Sequence, residues 1–162
     1  MPETAYVHAE RLSKKLLELW EQLELEISNL YRLFAQKFPA HSQLWNALSS
    51  DELNHAAYVK EMFSLAEAGK VFFNEKTTKT YTIKTINDDI KTVYKKTEAG
   101  QYTIINALAY SVNLEDSIIE KKFYDYFSTN DRDINLLINK IKQETIEHSQ
   151  RVKKALEEEK LR

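Results

Sequence analysis

The sequence predicts an all-α protein: a four-helix bundle of two antiparallel helix pairs joined by one long crossover that contains a short helix. Apolar residues recur at three- and four-residue steps along four long stretches, which is the period of an amphipathic helix. Two Gly and two Pro in 162 residues leave few places for the tight turns of an all-β fold. The joints between the stretches run short, long, short, so two hairpins are linked by a segment long enough to return along the bundle. With 43% hydrophobic and 30% charged side chains, a chain of this length fits one globular domain over residues 1–162.

The first helix runs from about Ala5 to Lys37 on Leu16, Leu17, Trp20, Leu23, Ile27, Leu30, Tyr31 and Phe34, and Pro39 breaks it. The second carries Leu44, Trp45, Leu48, His55, Val59, Met62, Phe63 and Ala66, and Gly69 suits the position just past its end. Between about residues 70 and 100 the Thr-rich alternation of Thr77, Thr78, Thr80, Thr82 and Thr85 predicts an irregular or partly extended crossover. A short helix follows on Ile86, Ile90, Val93 and Tyr94, capped by Thr85 with Asp88 three residues on. The third long helix spans about Tyr102 to Phe127 on Ile104, Leu108, Val112, Ile119, Phe123 and Tyr126. A turn of Ser128, Thr129, Asn130 and Asp131 leads to the fourth, about Asp133 to Leu161, with Ile134, Leu137, Ile141, Val152 and Ala155 inward and a charged, fraying end. At 1.5 Å per residue, rods of roughly 25 to 30 residues are about 40 Å long and match one another. Short outer joints make the two pairs antiparallel, and the crossover lets the second and third long helices run parallel.

Composition excludes several function classes. A net charge of −2 leaves no electrostatic footprint for nucleic acid or an acidic membrane surface. No apolar run reaches the length of a membrane span, and Met1-Pro2-Glu3-Thr4 does not open a secretory signal, so a soluble, cytoplasmic protein is expected. Without Cys there is no disulfide, thiolate nucleophile or thiolate-held metal on this chain. Phosphate-cradling Gly loops and nucleophile elbows are also missing from the text.

The informative residues are polar ones on apolar stripes. At about 100° per residue, Glu24 lies at the edge of the first helix's buried stripe, one turn from Trp20 and Ile27. Glu52 and His55 fall between Leu48 and Val59, Glu115 stands amid Leu108, Val112 and Ile119, and Glu144 and His148 share the face of Leu137, Ile141 and Ala155. Each long helix thus turns one carboxylate inward, and two add an imidazole. Burying even one such charge unpaired is costly. Lys122 and Arg151, the nearest cations, lie about two turns from Glu115 and Glu144 along their helices, whereas two divalent cations would cancel four carboxylates in full. Carboxylates plus imidazoles suit iron or manganese, with zinc also accommodated. One Glu from each of two helices with a Glu-x-x-His pair from each of the other two is the ligand pattern of di-iron carboxylate bundles.

Glu24 followed by Tyr31, then Trp45 and Asp51-Glu52-Leu53-Asn54-His55-Ala56, resembles the first half of rubrerythrin-type ferritin-like proteins. The stretch Ala107 to Phe127, with Leu114-Glu115-Asp116-Ser117 and Phe123-Tyr124, and the run Glu144-Thr145-Ile146-Glu147-His148 are similar to the second half. The resemblance implies a ferritin-like bundle with two iron ions held by Glu24, Glu52, His55, Glu115, Glu144 and His148, at least one of Glu52 and Glu115 bridging. It implies reduction of hydrogen peroxide or dioxygen as the activity, with no catalytic residue beyond the ligands. Electrons usually arrive through a rubredoxin-like domain, whose iron needs Cys this chain lacks, so a separate electron-donor protein is expected. The second motif departs from the family: Thr145 stands three residues before His148, with carboxylates four residues before it (Glu144) or adjacent (Glu147). Glu144 is the expected ligand because i,i+4 residues share a helix face. Glu147 is held in reserve, and Tyr31 is a phenol able to donate to a ligand carboxylate. His8 and His41 sit near element starts and read as surface or capping groups. Two readings stand beside the redox one: a passive metal-binding or metal-sensing protein, and a metal-free structural or dimerising module. Long helices with a partly apolar outer face are expected to pair as a homodimer.

Overall fold

The computed structural model describes residues 5–73, 80–121 and 123–162; for 5–10, 12–13, 72–73, 120–121 and 123 it describes the backbone alone. The described chain is helical: α1 (Ala5–Lys37), α2 (Ser42–Glu67), α3 (Thr80–Glu98), α4 (Ile104–Lys121) and α5 (Arg132–Lys160). Single 3₁₀ turns occupy Pro39–His41 and Phe123–Tyr126. The two-residue segments β1 (Phe72–Phe73) and β2 (Phe127–Ser128) pair antiparallel, Phe72 opposite Ser128 and Phe73 opposite Phe127.

The periodic apolar positions of α1 from Leu16 to Phe34 are buried, which is why a 33-residue helix forms from a sequence with so many charges on its other face. Phe38, preceding Pro39, leaves the helical region (φ −128°, ψ 69°) because the proline ring crowds it, and the chain reverses there. The two glycines end helices. Gly69 and Gly100 both adopt φ +73°; Gly69 N–H and Lys70 N–H return to the carbonyls of Ala66 and Leu65, and Gly100 and Gln101 do the same to Thr97 and Lys96.

Cross-helix contacts set the directions. Along α1 and α2, Lys14 meets Glu67, Ser28 meets Ser49, and Phe34 packs on Trp45, so partner numbers fall as chain numbers rise. The pair is antiparallel. The same holds for α2 against α5, through Asp51–His148, His55–Glu144 and Tyr58–Lys140. It holds again for α4 against α5, where Asp116 accepts from Ser149 and Lys153 and Lys142 lies over the Tyr124 ring. Helices α2 and α4 therefore run the same way, as the crossover length predicts. One hydrophobic core takes side chains from all five helices. Among the described residues no helix is long and apolar enough to cross a membrane.

Four expectations need correction. The crossover is not extended around Thr80, Thr82 and Thr85; these residues lie within α3, a 19-residue helix that buries Ile83, Ile90 and Val93. Thr85 is no cap, since its hydroxyl donates to Tyr81 O one turn back. Thr77 and Thr78 lie outside the described residues. Helix α3 packs on α1, where Asn87 donates to Leu19 O and Lys37 to Glu98 O, and it reaches α4 through Tyr110 and Asp89. Helix α4 stops at Lys121 instead of Phe127, because the chain turns through Phe123–Tyr126 into β2, and Phe127 stacks on Trp20 with ring centroids 5.9 Å apart. The end of α5 is tied down: Glu159 meets His41 Nε2 at 2.9 Å and reaches Arg162 at 3.6 Å.

Side-chain caps fix the starts of α4 and α5. Thr103 and Asn106 exchange hydrogen bonds, each side chain accepting from the other's backbone N–H, which fixes the start of α4. Asp131 Oδ1 accepts from the N–H groups of Asp133 and Ile134 at the start of α5. Asp131→Ala should cost about 1 kcal/mol, a fall in Tm of about 2–4 °C at this chain length, while Asp131→Asn keeps the acceptor and most of the stability; thermal unfolding by circular dichroism checks both.

Candidate metal centre

Helices α1, α2, α4 and α5 bring Glu24, Glu52, His55, Glu115 and His148 together, and none of the five is more than 2% exposed. They form two overlapping trios. Ligand-capable atoms of Glu24, Glu52 and His55 lie within 4.8 Å of one another, as do those of Glu52, Glu115 and His148. Glu52 belongs to both. Its Oε2 stands 3.0 Å from His55 Nδ1, and its Oε1 stands 2.8 Å from His148 Nδ1. One carboxylate thus presents an oxygen to each trio. The two imidazole rings stack with centroids 5.4 Å apart and planes 21° from parallel.

The flanking carboxylates are held from behind. Trp20 Nε1–H donates to Glu24 Oε1 at 2.7 Å, one turn apart on α1. Tyr31 O–H donates to Glu115 Oε1 at 2.5 Å, across from α1 to α4. The imidazoles are held likewise: His55 Nε2 faces Glu144 Oε2 at 2.8 Å, and His148 Nε2 faces Asp51 Oδ2 at 3.2 Å. Three of the inward atoms lack a hydrogen bond. The contact between Glu52 Oε1 and His148 Nδ1 is close but lacks hydrogen-bond geometry, and neither atom, nor Glu115 Oε2, has a hydrogen-bond partner. Glu52 Oε1 and His148 Nδ1 face each other as an ion pair at 2.8 Å while Glu115 Oε2 has no hydrogen-bond partner, so the inward atoms of this trio are ones that a cation could take up.

The metal-free cluster compensates itself with protons. Burial works against the imidazolium of His55, but the hydrogen bond and charge of Glu52, with the charge of Glu24, outweigh it and push His55 up to about 10. His148 follows the same balance, burial against Glu52 and Glu115, to about 9. Burial pushes Glu115 up to about 8, helped by the charge of Glu52, and lifts Glu24 well above the usual carboxylate range for the same two reasons. Burial also acts to raise Glu52, yet the two imidazoles beside it override this and hold it below its ordinary value. Glu52 is the anion of the set, between two cationic rings.

The remaining predicted residues fall outside the trios. Glu144 is half-buried and stands at the outer nitrogen of His55, not among the inward ligand atoms. Thr145 is buried with its hydroxyl donating to Ile141 O, and Glu147 is exposed, accepting from Gln143. Arg151 pairs with Asp51 at 3.4 Å, and Lys122 and the His8 side chain lie outside the described residues. Trp20 and Asp51 were not expected as site groups. The signal for both was spacing: Trp20 is four residues before Glu24, and Asp51 stands before His55 as Glu144 stands before His148.

The donor set fits a cation. It combines buried carboxylates and imidazole Nδ1 atoms without thiolates, which suits borderline-hard divalent ions. Comparison with protein-family models, with curated proteins and with solved structures yields no match. Fold and site together define a helical protein with a buried Glu/His cluster able to hold metal.

Proposed function

We propose that the chain is a ferritin-like four-helix-bundle protein that holds two cations, iron in the working form, and reduces peroxide or dioxygen with electrons from a separate donor protein. The observation that carries the reading is the sharing of Glu52: two trios with one carboxylate in common are the donor arrangement of a bridged pair. The rubrerythrin-like spacing of Glu24, Glu52 with His55, Glu115 and His148 supports it from the sequence side. When bound, two ferrous ions would supply two electrons, the number that takes one hydrogen peroxide and two protons to two waters.

The protein's own share is positioning. Tyr31 fixes which oxygen of Glu115 is free, and Trp20 does so for Glu24. Burial of the five inner residues keeps bulk water from the cluster, which strengthens its electrostatics. Thr145 in place of a fourth inner carboxylate leaves three inner anions against the four positive charges of two divalent ions. The filled site would then carry one excess positive charge, which favours an added oxygen anion.

Anaerobic loading with ferrous iron, followed by stopped-flow mixing with peroxide or air-saturated buffer, tests the reading. The expected result is two iron ions per chain and oxidation by one of the two oxidants much faster than for free ferrous iron. Retained iron that oxidises no faster than free iron would leave a passive binder and overturn the redox role.

A further inference from the structure

Helices α1 and α3 leave a cavity of about 510 Å³ between them, and none of its lining residues belongs to the Glu/His cluster. The volume is within the size range of small-molecule sites. Its charges are one-sided. Lys84 and Lys91 stand seven residues apart on α3, two turns along one face, and Lys15 of α1 lines the same cavity. Asp88 is the one lining carboxylate against these three cations, which leaves an excess of two positive charges. Other lysines are matched, Lys14 with Glu67, Lys70 with Asp131 and Lys153 with Asp116. Lys15, Lys84 and Lys91 make no ion pair among the described residues. Two further features lack an explanation in packing. Asn87 lines the cavity and is 4% exposed; its Nδ2 donates to Leu19 O at 3.4 Å, and its Oδ1 has no hydrogen-bond partner. A buried amide oxygen left unpaired is costly. Tyr81, in the first turn of α3, also lines the cavity and is 79% exposed, an aromatic face turned to solvent.

We propose that this cavity binds a phosphomonoester built on a planar ring with an amino group, the class of adenosine 5′-monophosphate. The phosphate dianion matches the excess of two charges, and lysine ammonium groups bind phosphate as point charges. The ring has the exposed face of Tyr81 to stack on. The bond from Nδ2 to Leu19 fixes which way the Asn87 amide is turned, so its unpaired atom is an acceptor and the ligand must present a donor. The amino group is that donor. Inorganic phosphate or a dicarboxylate would match the charge but leave Tyr81 and Asn87 unused. The site is independent of the two-cation reading, because it shares no residue with the trios and needs no metal. A ligand seated there joins α1 to α3 and stabilises the folded chain by mass action.

Equilibrium dialysis of the full chain against adenosine 5′-monophosphate, without metal, is the test, with backbone ¹H–¹⁵N spectra to locate the ligand. The expected result is one ligand per chain, shifts centred on α1 and α3 around Lys15 and Asn87, and affinity that falls as salt rises. Adenosine, ribose 5-phosphate and inorganic phosphate should each bind about 10-fold more weakly or worse, since each lacks the phosphate, the ring or both the ring and its amine. Purine riboside 5′-phosphate, which lacks only the amino group, should lose about 3- to 10-fold. Lys84→Gln combined with Lys91→Gln should weaken adenosine 5′-monophosphate about 10-fold and leave adenosine unchanged. Tyr81→Ala should weaken adenosine 5′-monophosphate and leave ribose 5-phosphate unchanged. All three substituted positions are exposed, so folding is retained, as circular dichroism checks. No saturable binding, shifts centred outside α1 and α3, full affinity in the lysine variant, or inorganic phosphate bound as tightly as the nucleotide would overturn the proposal. Equal affinity for the analogue without the amine would overturn the role of Asn87.

Discussion

On the two-cation reading, Glu52→Gln should abolish binding of both ions at once, whereas Glu24→Gln should abolish binding of one. The contrast follows from the shared carboxylate: Glu52 gives an oxygen to each trio, and Glu24 belongs to only one. An amide oxygen is a poor substitute for a bridging carboxylate because it brings no charge and its nitrogen is not a ligand. The two variants should also differ before any metal is added. In metal-free protein Glu52 is the anion that satisfies two buried imidazolium rings, and removing one partner of a buried ion pair typically costs about 3–5 kcal/mol. Burial and the charge of the neighbouring Glu52 raise the pKa of Glu24 and favour its neutral form, which the amide of Gln resembles, and Gln keeps an oxygen that accepts from Trp20. Its unfolding midpoint should barely move. Zinc counting by elemental analysis after gel filtration, with circular dichroism to verify folding, gives the expected series of two, one and none for parent, Glu24→Gln and Glu52→Gln. If Glu52→Gln folds and keeps an ion while Glu24→Gln keeps two, Glu52 is not the bridge.

The five buried members of the cluster were legible because burial on a helix is periodic, and a charged residue on an apolar stripe stands out wherever the stripe is long. Glu115 amid Leu108 and Val112, or His148 in line with Ile141 and Ala155, needs only a rotation of 100° per residue to be noticed. The placement of Glu144 was not legible for the complementary reason. A helix wheel ranks residues by angle, and Glu144 and His148 are close in angle, but which of them reaches the interior depends on the level at which α2 passes by. That level places His55 beside Glu144, and no property of α5 alone contains it. The crossover failed differently. β-branched threonines at 80, 82 and 85 disfavour helix on their own, yet Ile83, Ile90 and Val93 recur at helical spacing, and burying them outweighs the propensity. The end of α4 failed because Tyr124, Tyr126 and Phe127 are apolar enough to continue its pattern; they are buried in a 3₁₀ turn and a strand that return toward α1.

The metal-free protein should be most stable at mildly acidic pH and lose stability as pH rises, and zinc should reverse that slope. A group whose pKa is raised by folding stabilises the fold fully below its unfolded value, and that contribution is lost as pH climbs through the folded value. For Glu115 the loss runs from 4.5 to about 8, for His148 from 6.5 to about 9, and for His55 from 6.5 to about 10. Glu52 has the opposite sign: its lowered pKa contributes above 4.5 and is lost in acid, which places the optimum on the mildly acidic side. Each proton held by the folded but not the unfolded chain is worth about 1.4 kcal/mol per pH unit. Cations compete for these positions, since Nδ1 of both imidazoles and the oxygens of Glu24 and Glu115 must give up protons before they can ligate. Zinc binding at neutral pH should therefore release up to four protons per chain, one from each of those groups, and tighten as pH rises. At free zinc about 1,000 times Kd, the stabilisation is about 4 kcal/mol, or about 8–16 °C in Tm at this chain length. Unfolding scans from pH 5 to 9 with and without zinc, and calorimetry in buffers of different ionisation enthalpy, read the two quantities separately. Parallel Tm profiles with no proton release would mean that zinc binds elsewhere and that the buried cluster is a proton-held structural core.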